Sequence, residues 1–149
     1  AAEMTAAVAD VAGEADALVS AAAISDYTVE AADEKIRSGQ ERLTLDLVPT
    51  PKLIDTVRAD HPDLPIVGFK VESAGGDEEL LSRARDLIER VELAFVVAND
   101  ASVMGAAGTR ALLVEAADYS EYTGDKPGLG LAVAERLAVK VGGQSSATE

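Results

Sequence analysis

Met4, Ala7, Val8 and Val11 recur at helical spacing, with Glu3 near the start where a helix dipole favours an anion, and the pattern predicts a helix over 3–15. An apolar run over 17–24 then stops abruptly at Ser25, Asp26 and Tyr27, as a buried parallel strand does when it ends in a polar corner. A polar, alanine-rich segment runs to Lys35, and residues 37–40 carry a turn signal. Leu43, Leu45 and Leu47 alternate with Thr44 and Asp46, which predicts a half-buried strand with one wet face. Residues 26–47 therefore read as an excursion from the main sheet that returns by a strand. Thr50 suits the N-cap and Pro51 the first position of a following helix, whose buried face is Leu53, Ile54 and Val57. His61, the only histidine, falls at the end of that helix and reads as a surface or C-terminal-dipole residue.

Residues 66–71 form a short buried strand, and Gly75-Gly76 breaks the chain before a helix opened by Asp77, Glu78 and Glu79. Leu80, Leu81, Ala84, Leu87 and Ile88 give that helix its apolar stripe. Residues 93–98 are another apolar strand, ending in Asn99 and Asp100, on the same edge as Asp26 if the two strands are parallel. A small-residue loop at 104–109, a strand at 112–114 and a polar connection at 119–126 follow. Pro127 starts a last helix faced by Leu131, Ala134, Leu137, Ala138 and Val141, and 142–149 read as a disordered tail. This order predicts one domain over 1–141, a three-layer α/β/α sandwich with no internal repeat. In such sheets ligands bind beyond the carboxyl ends of the strands. Asp26 sits at that edge, and Lys35 lies on a segment with the slack to reach over it. The pair suits a polyphosphate with its metal, or an activated carboxylate; a loop with ordinary surface charges is the competing reading.

The chain of 149 residues is 48% hydrophobic and 3% aromatic without Trp, so its core must be packed with Ala, Val, Leu and Ile. With 27 acidic against 13 basic residues the net charge is −14, which disfavours duplex nucleic acid and anionic membrane as partners. A carboxylate coat of this density suits high salt, where screening tempers self-repulsion, and makes most Asp and Glu residues solvation rather than chemistry. Absence of cysteine excludes disulfides, thiolate metal sites and cysteine nucleophiles. No apolar run approaches the roughly 20 residues needed to cross a bilayer. The N-terminus lacks the basic region of a signal peptide, so a cytoplasmic location is expected. A dinucleotide fingerprint is not formed, because Gly128 and Gly130 fall inside a helical pattern; P-loop and G-x-S-x-G patterns are absent.

Five stretches in order resemble the phosphopantothenoylcysteine synthetase family, the ligase half of the bifunctional coenzyme A biosynthesis flavoprotein. These are the alanine-rich strand into S-D-Y at Ala21–Tyr27, a flap signature at Lys35-Ile36-Arg37 followed by leucine alternation, T-P-K-L at Thr50–Leu53, V-G-F at Val67–Phe69, and V-A-N-D at Val97–Asp100. Thr50 and Lys52 replace the family's commoner Asn and Asp, and Arg90 is the better match to the lysines that precede V-A-N-D. The resemblance implies a Rossmann-like, mostly parallel sheet with the excursion 26–47 as flap and dimerisation element. It further implies that the glycine-rich strand-turn and active-site asparagine of the ligase domain are missing, so the segment alone is expected to lack part of its pocket.

The implied reaction joins 4′-phosphopantothenate to cysteine through an acyl-cytidylate made from CTP with Mg2+. FMN enters only if a decarboxylase domain precedes the segment in a bifunctional parent. Lys35 and Asn99 would be the catalytic residues, Lys35 riding on the flap and Asn99 shaping the pocket floor. Ala22, Ala23 and Asp26, the helix start Pro51, Lys52, Leu53 and Ile54, Phe69 beneath the ring, and Arg90 would hold the nucleotide. A homodimer through the flap is expected. The rival readings are a non-catalytic nucleotide-binding domain of the same fold, and a nicotinamide enzyme, for which the glycine fingerprint is lacking.

Overall fold

The structure is a computed structural model that describes residues 1–30, 39, 41–72, 75–100 and 108–145. Helix α1 (Ala2–Ala12) leads into β1 (Leu18–Ser20), a ribbon of β2 (Tyr27–Val29) and β3 (Leu47–Pro49), and α2 (Leu53–Asp60). After these come β4 (Ile66–Glu72), α3 (Asp77–Val91), β5 (Phe95–Asp100), β6 (Thr109–Val114), β7 (Tyr119–Gly124) and α4 (Lys126–Ser145). The main sheet has the order β1-β4-β5-β6-β7. β1, β4 and β5 are parallel, and the two antiparallel pairings that follow return β7 to the same direction, so that β6 runs against its neighbours. The expected α/β sheet is therefore present, mostly parallel in strand direction and mixed in its pairing.

Two crossovers that step the same way across the sheet place their helices on one face. There Leu53 and Val57 of α2 and Leu80, Ala84, Ile88 and Val91 of α3 bury against Ile66, Val96, Ala98, Leu112 and Val114. The opposite face carries Val67, Phe95, Val97, Ala111 and Leu113 under Leu129 and Val133 of α4. The strands separate these two sets because successive residues point to opposite sides. β5 is buried on both faces, which is why 95–98 read as a continuous apolar run.

Several expectations are corrected. Residues 119–126 are not a connection: most of them form β7, an edge strand whose outward positions are polar, so its sequence lacks an apolar signal. The returning strand of the excursion is Leu47–Pro49 rather than the leucine alternation, and Leu43, Leu45 and Leu47 are 53%, 55% and 60% exposed. Alternation fixes which side chains share a face, but none of the described residues covers that face. Helix α2 starts at Leu53 with Lys52 as N-cap, so neither Thr50 nor Pro51 takes the position expected of it. Helix α4 continues past Val141 to Ser145.

Candidate functional site

Parallel pairing puts the carboxyl ends of β1, β4 and β5 on one rim. β1 pairs with β4 only as far as Gly68, so Phe69 and Lys70 extend past their neighbour. Beyond β1 the chain turns at Ser25 and Asp26, and the ribbon hands over through Thr50 to α2. These pieces enclose a pocket of about 220 Å³. Ala22, Ile24 and Asp26 line it from the strand end; Pro51, Lys52, Leu53, Ile54 and Asp55 from the helix start; Phe69 and Lys70 from β4; Leu87 and Arg90 from α3.

Its charges are partly spoken for. Arg90 Nη1 donates to Asp55 Oδ1 and Oδ2 at 2.8 and 3.0 Å, joining the last turn of α3 to the first turn of α2. Lys70 Nζ lies 2.8 Å from Glu72 Oε1, and its hydrogen bond holds the Glu72 carboxyl below the usual glutamate range. Lys52 makes no ion pair among the described residues and, as N-cap, gives α2 no side-chain cap. The first amides of a helix lack internal partners and carry its positive dipole end. An ammonium therefore stands where a helix start is left uncapped, and the combination attracts anions. Among the described residues no group of three or more His, Cys, Asp or Glu side chains is arranged to hold a metal ion.

Of the residues expected at the site, Ala22, Asp26, Pro51, Lys52, Leu53, Ile54, Phe69 and Arg90 line this one pocket. Ala23 is exposed next to Ala22 and is not part of the wall. Lys35 lies outside the described residues. Asn99 is on the same rim but on the other face: its Nδ2 donates to the Arg110 carbonyl at 3.1 Å, and it lines a separate cleft of about 980 Å³. That cleft lies between Val19 and Val71 of the sheet and Leu129, Val133 and Leu137 of α4, with Asn99, Thr109 and Lys126 as its polar groups. Phe69 lines both spaces, at the strand end that β1 leaves uncovered. Among the lining residues that sequence reasoning missed are Ser25, Thr50, Asp55, Lys70 and Leu87. Leu87 was detectable one helical turn before Arg90, whereas Lys70 and Asp55 needed the strand and helix to be placed.

The family described as DNA/pantothenate metabolism flavoprotein C-terminal domain matches residues 1–139. The sequence is 47% identical over 100 residues to the coenzyme A biosynthesis bifunctional protein CoaBC of Thermococcus kodakarensis, covering 66% of this chain and 25% of that protein. It is 38% identical over 93 residues to the protein of the same name from Methanocaldococcus jannaschii, covering 62% and 23%. The chain thus spans about a quarter of the length of these relatives. Among solved structures, the DNA/pantothenate metabolism flavoprotein from Streptococcus pneumoniae is similar with a TM-score of 0.79 at 22% identity, over 93% of this chain and 69% of that one. A mutant of Cab2 in complex with phosphopantothenate-cysteine gives 0.71 at 21% identity, over 93% and 50%. Likeness at such identities is likeness of fold.

Proposed function

Because the chain belongs to the DNA/pantothenate metabolism flavoprotein C-terminal domain family, we propose that it forms part of a phosphopantothenate–cysteine ligase of coenzyme A biosynthesis. The observation that carries this is the pocket in which Asp26, the uncapped start of α2 with Lys52, Phe69 and Arg90 converge. In the reaction, a carboxylate oxygen of 4′-phosphopantothenate attacks the α-phosphorus of CTP and pyrophosphate leaves. The cysteine amine then attacks the acyl carbon of the resulting acyl-cytidylate, and CMP leaves. Attack of one anion on another needs cations and positioning more than a base. Lys52 and the first turn of α2 suit the phosphates, Phe69 gives the ring a flat apolar contact, and Arg90 is available once it exchanges Asp55 for phosphate. Lys35, on the excursion rooted at the same corner, is the residue assigned to stabilise charge at the reacting centre.

Magnesium belongs to this reading as the counter-ion of the nucleotide substrate. The described residues do not by themselves form a cage for a resident metal, and Asp26 and Asp55 are the carboxylates that face the pocket. FMN would belong to a decarboxylase domain of a bifunctional parent, not to these residues. Among the described residues no strand lies beside the outer edge of β1, and the apolar cleft beneath α4 lies on that side. Both suit the rest of the ligase domain, supplied by a longer polypeptide. Exposed Tyr27, Val29, Leu43, Leu45 and Leu47 suit a second copy packed on the excursion; a full-length protein sedimenting as a monomer would remove that part. No helix among the described residues is long and apolar enough to cross a membrane, and a cytoplasmic enzyme fits. The net charge of −14 suits a high-salt cytoplasm, and a melting temperature that rises between about 0.1 and 2 M KCl is the expected sign of it.

Pyrophosphate release by the full-length protein, with 4′-phosphopantothenate and cysteine and with CTP and ATP compared, is the decisive experiment. Release that depends on the acid substrate and prefers CTP is expected. CTP binding with no release when all substrates are present would leave a non-catalytic nucleotide-binding domain in its place.

A further inference from the structure

Resting on the nucleotide reading of the pocket, we infer that Thr50 is a positioning residue for it, tying the strand-end corner to the entry of α2. Thr50 is 9% exposed. Its N–H donates to the Asp26 carbonyl at 2.9 Å, and its hydroxyl donates to the Ser25 carbonyl. Both acceptors are backbone atoms of the corner that presents Asp26, twenty-five residues back in the chain in the case of Ser25. On the other side, Thr50 is followed by Pro51 and Lys52, which with the first turn of α2 form the facing wall of the pocket. β2 and β3 pair Tyr27 with Pro49, so Thr50 closes the base of the ribbon from which the excursion extends.

Two walls that come from distant parts of the sequence are thereby held at a fixed separation by one short side chain and its amide. The hydroxyl is not spent on capping α2, where Lys52 takes the N-cap position without a side-chain bond. Ser25 completes the corner by donating from its Oγ to the Tyr27 carbonyl at 2.6 Å. A pocket that must place a triphosphate against a carboxylate gains from walls fixed before the ligand arrives, since ordering them on binding lowers affinity.

Thr50→Val keeps the shape and the backbone bond and removes only the hydroxyl, whereas Thr50→Ser keeps the hydroxyl. In pyrophosphate release by the full-length protein, Thr50→Val is expected to raise KM for CTP about tenfold while KM for 4′-phosphopantothenate stays within about twofold. Thr50→Ser is expected to match the wild type in both. An unchanged KM for CTP in folded Thr50→Val overturns the assignment, and so does a rise that Thr50→Ser shares. If Thr50→Val does not fold, Thr50→Cys, whose thiol is a weak donor, replaces it with an expected rise of about threefold, and an unchanged KM there overturns it equally. Absence of release by the wild type would remove the ligase reading itself; release with no effect at Thr50 would remove only this role.

Discussion

A methyl group added at Gly68 would lie 2.8 Å from Leu93 Cδ1 and 3.6 Å from Val96 Cγ2. A side chain at the glycine of V-G-F would therefore have to displace the tip of Leu93 where β4 passes beneath the chain leaving α3. Its neighbour Phe69 was legible as a site residue from the motif, but its place between two cavities depends on β1 stopping short of it. Arg90 was legible only as a cation near V-A-N-D; that Asp55 holds it in the pocket wall needed two helices to be packed. Lys35 remains a residue read from resemblance. Lys35→Gln in the full-length protein is expected to lower kcat about 100-fold, as loss of one charge-stabilising group does, with a melting temperature within a few degrees of wild type. Wild-type turnover in steady-state assays would remove its assignment.

Arg58 shows how separate elements are fastened. It sits in the last turn of α2, and its Nε donates to the Val91 carbonyl at 3.1 Å and its Nη2 to the Glu92 carbonyl at 3.0 Å, at the end of α3. Its Nη1 donates to the carbonyls of His61, at 3.2 Å, and Pro62, closing its own helix. One guanidinium thus serves the unpaired carbonyls of two helix ends. Glu92, which caps α3 in a left-handed conformation with φ 52°, is held by the same contacts. Arg58→Ala is expected to cost about 2 kcal/mol in urea unfolding, and Arg58→Lys to recover little, because an ammonium does not reproduce the fork. Neither Arg58 nor any of its four acceptors lines the pocket, so KM for both substrates should stay unchanged below the melting transition. In sequence Arg58 is one more arginine on a polar helix face, and its value comes from the turn it meets 33 residues later.

For the molecule as a whole, an excess of carboxylates is organised around few cations. Arg110 donates to Asp77 at 2.8 and 2.7 Å and to Glu121 at 2.8 and 2.9 Å, linking the start of α3 to β6 and β7. These bonds hold Asp77 below 3.8 and Glu121 below 4.5, and they push the Arg110 guanidinium up. A depressed carboxylate contributes stability that is complete above its unfolded value and disappears as pH falls through the folded one. The melting temperature of Arg110→Gln should therefore lie about 2 °C below wild type at pH 7. That gap should stay constant above the ordinary carboxylate range and close only as pH falls below that range, because both carboxyls are held lower in the folded protein. Comparing the two proteins cancels the repulsion they share, and a gap independent of pH would show that the network does not act through its charges. From the sequence alone came the class of fold, the long helices and buried strands, and the polar stop at Asp26, because apolar periodicity and chain punctuation are local properties; Phe69 was read from the family motif. Only the tertiary structure decided that 119–124 is a strand, that the leucines of the excursion face solvent, that Asn99 opens on the opposite face, and that Thr50 binds a corner rather than capping a helix. Each of these depends on which partner a polar or apolar face meets, and partners distant in the chain leave no mark on the residues beside them.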